Sequence, residues 1–486
     1  MLSKPKSETA ADVGYRDLRG YVGLLEAAGL LTRIKTPVEL KHELGAIAAR
    51  SLDRGGPALI FENIRGYEGM PLVTNILSTT AQLAIAFGAE PDEDRIYEKI
   101  VHGMENRIPS VAIKSGAPCK EEILRGDKVD LYKLPTPFWH ELDGGQYIGT
   151  TAGFITMDPD TGVHNMGSYR VMIKDRDTLA SNVRGAHPIG KGPRPNDHGG
   201  TAHILQNETR GRPTPMALAL SMDPLLTLAS GTSVPPDSQG YAEYEAAGSW
   251  RGRPTELVQC ETSELLVPAH AEIIVEGEVV ANARTPEGPH GESTGFYGEN
   301  KESFLIRVKC ITQRKHPLSY GLICRVFEDY PRTLLRSGSF QTLLIQKTGM
   351  TNITKAYLPE VGRLGMVIIS AKIRDAEEPR RIMKAAWENG GARWVIVVDD
   401  DCDVRNWNDV MWRVCAAAVP EKDVIEGPRV ASSRRHRDEI DFEPPPSGLG
   451  IDATMRFKDR GFPPVNQVSR ELMARVAQRW KKYGLS

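Results

Sequence analysis

Residues 153–173, GFITMDPDTGVHNMGSYRVMI, decide the fold of the central part of the chain. Two extended runs flank Asp158-Pro159-Asp160-Thr161-Gly162, and turn residues between such runs predict a β-hairpin. MALALSM, AEIIVEGEVV and FLIRVKCIT predict further strands. Many strands joined by Gly- and Pro-rich links over residues 116–315 favour a β-barrel or a β-sandwich.

The sequence on either side of this section predicts mixed α/β structure. In residues 1–115, LRGYVGLLEAAGLL and LSTTAQLAIAFG predict two helices, and the second ends at Gly88. In residues 316–486, GMVII and WVIVV are apolar runs typical of strands buried on both faces, with a helical segment between them. That order predicts a βαβ unit in a parallel sheet. We therefore predict three domains, at residues 1–115, 116–315 and 316–486.

Composition and charge exclude several classes of function. The 486 residues are 40% hydrophobic and 26% charged, with a net charge of −2, so nothing favours general binding to nucleic acid or anionic membranes. No apolar run approaches the roughly 18 residues of a membrane span, and the polar N-terminus does not resemble a secretory signal. The six cysteines form no CxxC pair, which is typical of a reduced compartment. We expect a cytoplasmic protein.

Two segments resemble ligand-binding motifs without meeting their chemical requirements. GAHPIGKG, at 185–192, imitates a phosphate-binding loop as far as Lys191, but Gly192 stands where a hydroxyl must hold magnesium. The acidic run at 399–403, DDDCD, follows a predicted buried strand. Acidic side chains there commonly cap the next helix, so a structural role is favoured over a metal site.

The segment PEGPHGE, at 286–292, carries two carboxylates that are candidates for acid–base chemistry. Glu287 and Glu292 flank a Gly-Pro-x-Gly sequence, which predicts a tight turn that aims both into one cavity. Carboxyl groups in different environments can divide acid and base work, because burial raises one pKa while a nearby cation lowers the other. A solvated surface loop is the alternative interpretation.

The segment NMGSYR, at 165–170, carries a hard oxygen ligand, Asn165, and a bidentate cation, Arg170. A regular strand sends these two side chains to opposite faces, since their separation of five residues is odd. A shared site therefore requires a bulge at Gly167 or a strand that only begins there.

A divalent metal needs further ligands. Asn165, His187 and either Glu243 or Glu245 would suit Mn²⁺ or Mg²⁺ with positions open for phosphate oxygens. The other histidines of this section are alternatives to His187: His164, His198, His203, His270 and His290.

Taken in order, these segments resemble the UbiD family of decarboxylases, which use prenylated FMN. Nine segments carry the resemblance along essentially the whole chain: DLRGYVGLLEAAGLLTRI, NILSTTAQLAIAFG, DGGQYIGT, NMGSYR, EYEAAGSWRG, CETSELLVPAHAEIIVEGEV, PEGPHGESTGFYGE, VIVVDDDCDVRNWNDV and SGLGIDAT. The resemblance implies an N-terminal α/β domain, a central split β-barrel like that of flavin reductases, and a C-terminal α/β domain used in oligomerisation.

The resemblance also implies the reaction. The family's Glu-Arg-Glu network corresponds to Arg170, Glu287 and Glu292. It implies reversible, non-oxidative decarboxylation of an aromatic or α,β-unsaturated acid, or of an aryl-CoA ester. Prenylated FMN would accept the electrons of the broken bond, because no side chain is an adequate electron sink. Glu292 would then deliver a proton, while Arg170 would hold Glu287 ionised and orient the substrate carboxylate.

The resemblance further implies the cofactor and metal ligands. The residues expected at prenylated FMN are Asn165, Ser168, Tyr169, Arg170 and His187. Asn165, His187 and Glu243 would bind Mn²⁺ or another divalent ion at the cofactor phosphate, with K⁺ nearby. Glu243 is preferred to Glu245 because it lies five residues before Gly248, as in the family's motif. The loop after His187 departs from the family's pattern, so His198 and His203 remain substitutes.

The expected partners are a small carboxylic acid, a flavin prenyltransferase that supplies the cofactor, and further copies of the chain in a homodimer or homohexamer. Two alternatives stay open. A flavin-binding oxidoreductase would not need the Arg-Glu-Glu set, and a non-catalytic subunit of a carboxylase complex would tolerate the loss of Glu292.

Overall fold

The computed structural model describes residues 12–183, 189, 199–232, 234, 241–293, 295–324, 330–359, 365–390, 392–429, 447–455, 462–463, 466 and 468–484. In these ranges no helix has the length and apolar character needed to span a membrane.

The N-terminal part alternates short strands and helices. Its elements are α1 (Leu18–Ala27), β1 (Leu31–Ile34), α2 (Glu43–Leu52), β2 (Ala58–Phe61), β3 (Leu72–Thr74), α3 (Thr80–Phe87) and α4 (Glu93–Glu105). The predicted helices at 18 and 80 are confirmed. Asp17 caps α1 by accepting a hydrogen bond from the backbone of Gly20, and α3 ends at Gly88, whose left-handed backbone (φ 56°) suits glycine.

The central part is rich in strands. They are β4 (Val111–Ala112), β5 (Glu122–Arg125), β6 (Gly153–Met157), β7 (His164–Gly167), β8 (Val171–Asp175), β9 (Thr178–Ser181), β10 (Thr214–Leu220), β11 (Glu256–Gln259), β12 (Leu266–Pro268), β13 (Ile273–Gly291), β14 (Tyr297–Gln313) and β15 (Ser319–Tyr320). Three helices lie among them: α5 (Gly200–Thr209), α6 (Pro224–Ser230) and α7 (Ala242–Arg251). Short 3₁₀ turns cover Pro118–Lys120, Gly126–Lys128 and Leu131–Lys133.

One large antiparallel sheet organises the central part. Its strand order is β7-β6-β10-β13-β14-β9-β8, and β5 pairs with β14. The hairpin predicted at 153–173 is confirmed, since β6 pairs with β7 from Phe154↔Gly167 to Met157↔His164. Among the described strands this path does not close on itself, so a mixed α/β fold with several sheets is observed and the split barrel stays a prediction.

Both faces of this sheet are covered. Phe154 packs in a core that contains Leu218 and Phe304 of the sheet and residues of α5. The next residue, Ile155, faces a second core that also contains the N-terminal helices. Successive residues of a strand point to opposite faces, so the alternation along β6 joins the N-terminal and central parts through apolar packing.

The C-terminal part is a second α/β unit. Its elements are α8 (Tyr330–Thr348), β16 (Ile353–Tyr357), β17 (Met366–Ala371), α9 (Glu378–Gly390), β18 (Trp394–Asp399), α10 (Trp407–Ala417), α11 (Pro420–Asp423), β19 (Val424–Arg429), β20 (Ser447–Asp452), α12 (Arg470–Gln478) and a 3₁₀ turn, Trp480–Tyr483. The sheet order is β16-β17-β18-β20-β19. The predicted βαβ unit is confirmed, because β17 and β18 are parallel and α9 connects them.

The acidic run at 399–403 makes structural contacts. Asp401 pairs with Arg413, whose side chain is 1% exposed, at 2.8 Å, and Asp399 accepts a hydrogen bond from the backbone of Met455. Among the described residues no cluster of three or more His, Cys, Asp or Glu side chains is arranged to hold a metal ion.

Ion pairs join parts of the chain that are distant in sequence. Arg19 of α1 donates two hydrogen bonds to Glu272, at 2.8 and 2.7 Å, and the Glu272 side chain is fully buried. Strand β15 pairs with β3 and extends the N-terminal sheet to the order β1-β2-β3-β15, although it lies beyond residue 315. The domain bounds therefore stay a prediction.

Asp223→Ala should lower the free energy of unfolding by about 3–5 kcal/mol, since it leaves a buried guanidinium without its counter-ion. Asp223 pairs with Arg251 of α7 at 2.7 Å, with side chains 3% and 5% exposed, and also caps α6. Urea unfolding measures the change. The control is Asp12→Ala, which breaks an exposed pair with Arg253 and should cost under about 1 kcal/mol. Equal losses would contradict the expected difference.

Candidate active site

The connection between β7 and β8 brings Arg170 into the candidate site. Strand β7 ends at Gly167 and β8 begins at Val171, so residues 168–170 are free of the strand's alternation. Asn165 and Arg170 are five residues apart, and a regular strand would send their side chains to opposite faces. The break between the two strands removes that constraint. Gly167 is required here, because a Cβ at this position would lie 2.6 Å from the Tyr169 ring.

The prediction of a tight turn at residues 288–291 is wrong. These residues continue β13, with Glu287 opposite Asn300 and Gly291 opposite Tyr297 of β14. The register shifts on both sides of Glu287, and Gly288 has φ 111°, so the glycine serves an irregular strand instead of a reversal. The chain turns only after Gly291, where the backbone of Glu292 exchanges hydrogen bonds with the residues that follow.

Arg170 holds both carboxylates. Its Nε and Nη2 donate to Oε2 of Glu287 at 3.1 and 2.8 Å, and its Nη1 donates to Oε1 of Glu292. The phenol of Tyr147 donates to Oε1 of Glu287 at 2.6 Å. The Glu287 side chain is fully buried, while that of Glu292 is 28% exposed. The structure thus brings together the three residues predicted as catalytic, and adds Tyr147.

Burial dominates the electrostatics of this group. It raises the pKa of Glu287 above the usual value, although Arg170 and the Tyr147 hydrogen bond act in the opposite direction. The family resemblance implies that Arg170 holds Glu287 ionised; the guanidinium does lower this pKa, but the cost of removing the carboxylate from water is larger. Burial, together with Glu287, also raises the pKa of Tyr147, which keeps the phenol a hydrogen-bond donor.

A short loop before Tyr147 supports the strand that carries the carboxylates. Asp143 accepts hydrogen bonds from the backbone N–H of His140 and of Gly291, both at 2.9 Å. The ring of His290 lies against Tyr147, with ring centroids 4.0 Å apart. Burial and the Arg170 charge lower the pKa of His290 to about 3, so this imidazole is neutral at physiological pH.

Tyr147, Asp143 and His140 were not predicted from the sequence, and His290 was predicted only as a possible metal ligand. The available signal was the segment DGGQYIGT, at 143–150, which carried the family resemblance but no assigned chemistry. Its contacts with Glu287 and Gly291 span more than a hundred residues of sequence, and spacing does not reveal them.

The residues predicted to bind cofactor and metal lie on neighbouring elements. Asn165 is in β7, and Glu243 is in the first turn of α7, which packs against β7. Nδ2 of Asn165 is buried without a hydrogen-bond partner among the described residues, and an amide in this state fits a site that a ligand completes. His187 and His198 lie outside the described residues.

The remaining predicted residues have partners in the protein. Ser168 donates its backbone N–H to Ser230 at 2.8 Å, and the Tyr169 ring contacts Phe154 edge to face. His203, the other substitute ligand, is buried in α5 with Nδ1 2.9 Å from Oγ1 of Thr156. Burial lowers the pKa of His203 to about 4.

Family models match most of the chain. The N-terminal, Rift-related and C-terminal domains of 3-octaprenyl-4-hydroxybenzoate carboxy-lyase match residues 22–104, 111–325 and 337–453.

Solved structures also match over nearly the full length. An evolved dimeric form of the UbiD-class enzyme HmfF from Pelotomaculum thermopropionicum, in complex with prenylated FMN, is 28% identical, with a TM-score of 0.77 over 94% of this chain and 100% of its own. Vanillic acid decarboxylase from Sedimentibacter hydroxybenzoicus is 26% identical, with a TM-score of 0.81 over 96% and 99%. The 3,4-dihydroxybenzoic acid decarboxylase from Enterobacter cloacae, 21% identical with a TM-score of 0.80 over 96% and 100%, shares the fold.

His290 should make the protein lose stability in mild acid. Its folded pKa lies below that of an unfolded histidine, near 6.5. The contribution of the neutral His290 side chain to the free energy of unfolding is therefore fully present above pH 6.5, and it is lost as the pH falls toward 3. Between pH 7 and 5 the loss should be about 2 kcal/mol. Urea unfolding at both pH values measures it.

His290→Gln should remove this part of the pH dependence, whereas His102→Gln, at an exposed position of α4, should retain it. A wild-type slope preserved in His290→Gln would assign the effect to other groups.

Proposed function

Because the chain belongs to the UbiD family of prenylated-FMN-dependent carboxy-lyases, we propose that it reversibly decarboxylates an aromatic or α,β-unsaturated carboxylic acid, or an aryl-CoA ester, with Glu292 as the proton donor. The observation that carries this proposal is the contact of one guanidinium, Arg170, with two carboxylates in different environments. Neither a flavin oxidoreductase nor a non-catalytic subunit requires that arrangement.

The two carboxylates have different roles. Glu287 is fully buried and receives hydrogen bonds at both oxygens, so it anchors Arg170. Glu292 is partly exposed and lies at the turn after β13, so its carboxyl can reach substrate and exchange protons with water. Glu292 delivers the proton that replaces CO₂ on the substrate carbon, and Arg170 orients the substrate carboxylate.

Prenylated FMN supplies the electron sink that no side chain provides. Ser168, Tyr169 and Arg170 hold it from the β7–β8 connection. Asn165, a histidine and Glu243 would hold Mn²⁺ or another divalent ion beside the bound cofactor, and K⁺ would bind nearby. The buried Nδ2 of Asn165, which has no hydrogen-bond partner in the part of the chain that the structure describes, supports this assignment.

The third protein ligand of the metal would be a histidine. His187 is the first candidate by resemblance. Gly199, which follows His198 in the sequence, lies so close to Asn165 that a Cβ on it would be 2.4 Å from the amide oxygen. His187 and His198 are therefore the two candidates for this one ligand position.

We place the protein in the cytoplasm, as a homodimer or homohexamer that receives its cofactor from a flavin prenyltransferase. The first substrates to test are vanillic acid and 3,4-dihydroxybenzoic acid, because two of the similar solved structures are named as decarboxylases of these acids.

Glu292→Gln should lower CO₂ release at least about 100-fold, since a positioned general acid contributes this much or more. Proteins co-produced with a flavin prenyltransferase are assayed on a panel of aromatic acids, and the mass of the released flavin is measured for each. The variant should keep prenylated FMN. The control, Glu302→Gln, changes an exposed residue of β14 and should keep full activity.

Three results would count against the proposal. Undiminished turnover by Glu292→Gln would refute its role as proton donor. A flavin-loaded wild type that releases no CO₂ from any aromatic, unsaturated or CoA-linked acid would refute the substrate class. A folded wild type that retains no flavin would refute the cofactor assignment.

Asn165→Ala should lower Mn²⁺ content to below about a tenth of the wild-type value, because a site that loses one of three protein ligands typically loses 10-fold or more in affinity. Metal analysis of the purified, flavin-loaded proteins measures this. Of His187→Ala and His198→Ala, the variant that changes the true ligand should behave like Asn165→Ala, and the other should resemble His102→Ala. Wild-type metal content in both histidine variants would remove both from the site.

A further inference from the structure

We infer that Tyr147 is a positioning residue that determines how the charge of Arg170 is divided between Glu287 and Glu292. Its phenol occupies one oxygen of Glu287, and the guanidinium occupies the other. This inference rests on the proposed function for its effect on turnover, whereas its effect on Glu287 can be measured in the protein alone.

The geometry assigns each of these hydrogen bonds to a defined pair of atoms. Oε1 of Glu287 receives the Tyr147 hydroxyl at 2.6 Å, and Oε2 receives Nε and Nη2 of Arg170. One guanidinium nitrogen, Nη1, is left for Glu292. Glu287 therefore takes two of the three Arg170 nitrogens as long as it remains ionised.

Packing holds the phenol in place. Tyr147 is 1% exposed and forms a small apolar cluster with Met172 and Ala180. Its backbone bridges to Met172 of β8, and its ring lies against His290. A side chain fixed on two faces cannot swing away from Glu287 without opening this cluster.

Few other groups near Glu287 could replace the hydrogen bond that the Tyr147 hydroxyl donates to it. Several elements bring ionisable or charged groups near Glu287. They are its own strand (His290), the turn after it (Glu292), the β7–β8 connection (Arg170), β8 (Lys174), β14 (Glu299) and the loop before Tyr147 (His140 and Asp143). His290 is neutral, and Asp143 accepts from backbone N–H groups. Lys174 donates to the carbonyl oxygen of Pro286. Within the described part of the chain, Tyr147 and Arg170 are the hydrogen-bond donors to the Glu287 carboxylate.

The loss of the hydroxyl should therefore act on Glu292 through Arg170. Burial already raises the pKa of Glu287, and without the phenol the carboxylate becomes still easier to protonate. A neutral Glu287 attracts the guanidinium less, so Arg170 pairs with Glu292. That pairing occupies the Glu292 carboxylate with guanidinium N–H groups and makes it a poorer proton donor.

Infrared titration of the full-length protein without flavin tests the inference directly. The protonated carboxyl band of Glu287 is identified by its loss in Glu287→Gln. In Tyr147→Phe the midpoint of this band should move up by about one pH unit or more, the usual effect of a lost hydrogen bond to a charged group. The matched control is Tyr21→Phe, which removes a buried hydroxyl bonded to backbone carbonyls and should leave the midpoint unchanged. An unchanged midpoint in Tyr147→Phe would overturn the inference.

A second measurement needs no substitution. Protein made with 3-fluorotyrosine carries a more acidic phenol, a stronger donor, so the Glu287 midpoint should move down. An upward shift or no shift would overturn the inference even if Tyr147→Phe fails to fold.

In the flavin-loaded enzyme, Tyr147→Phe should lower kcat at least about tenfold, change KM little and move the acid limb of the pH profile upward. A lower kcat with an unmoved limb would assign Tyr147 a merely structural role. If the wild type itself shows no turnover, the proposed function fails while the infrared result still decides the inference.

Discussion

The placement of one guanidinium between two carboxylates is the constraint on which the rest of the site depends. Arg170 comes from a break between two strands, Glu287 from a long irregular strand and Glu292 from the turn that follows. Removing a carboxylate from water costs more than a single cation returns, which is why the pKa of Glu287 is raised. Full hydrogen bonding makes such a buried group tolerable, and the structure satisfies both oxygens of Glu287.

The sheet supplies the rigidity that this arrangement needs. Strand β13 lies between β10 and β14, and the core residues on its two faces belong to different clusters. Glu287 lies at the irregular end of this strand, where Arg170 and Tyr147 hold its carboxylate. The loop at 140–147 adds a second support, because Asp143 ties it to the backbone of Gly291. Chemistry by positioned groups depends on this kind of support.

Local patterns predicted local structure well. The β6–β7 hairpin, the helix that ends at Gly88 and the βαβ unit around α9 each follow from periodicity and turn residues within about 30 positions. The tight turn at 288–291 failed for a physical reason: Gly-Pro-x-Gly permits a reversal, but pairing with β14 keeps the chain extended. Arg170, Glu287 and Glu292 were identified through a family resemblance. Tyr147 could not be, because its partner Glu287 is 140 positions away and only the folded sheet brings them together.

Strand β15 has a consequence for the order in which the chain can assemble. Ser319 pairs with Leu72 and Tyr320 with Val73, so the first sheet receives its last strand only after the entire central sheet has been synthesised. A ribosome that has released residues 1–115 has therefore released an incomplete unit with an open edge at β3. The N-terminal part must wait for, or fold together with, the segment that closes it. Completion of the first sheet therefore ties the N-terminal part to the segment that follows the central sheet.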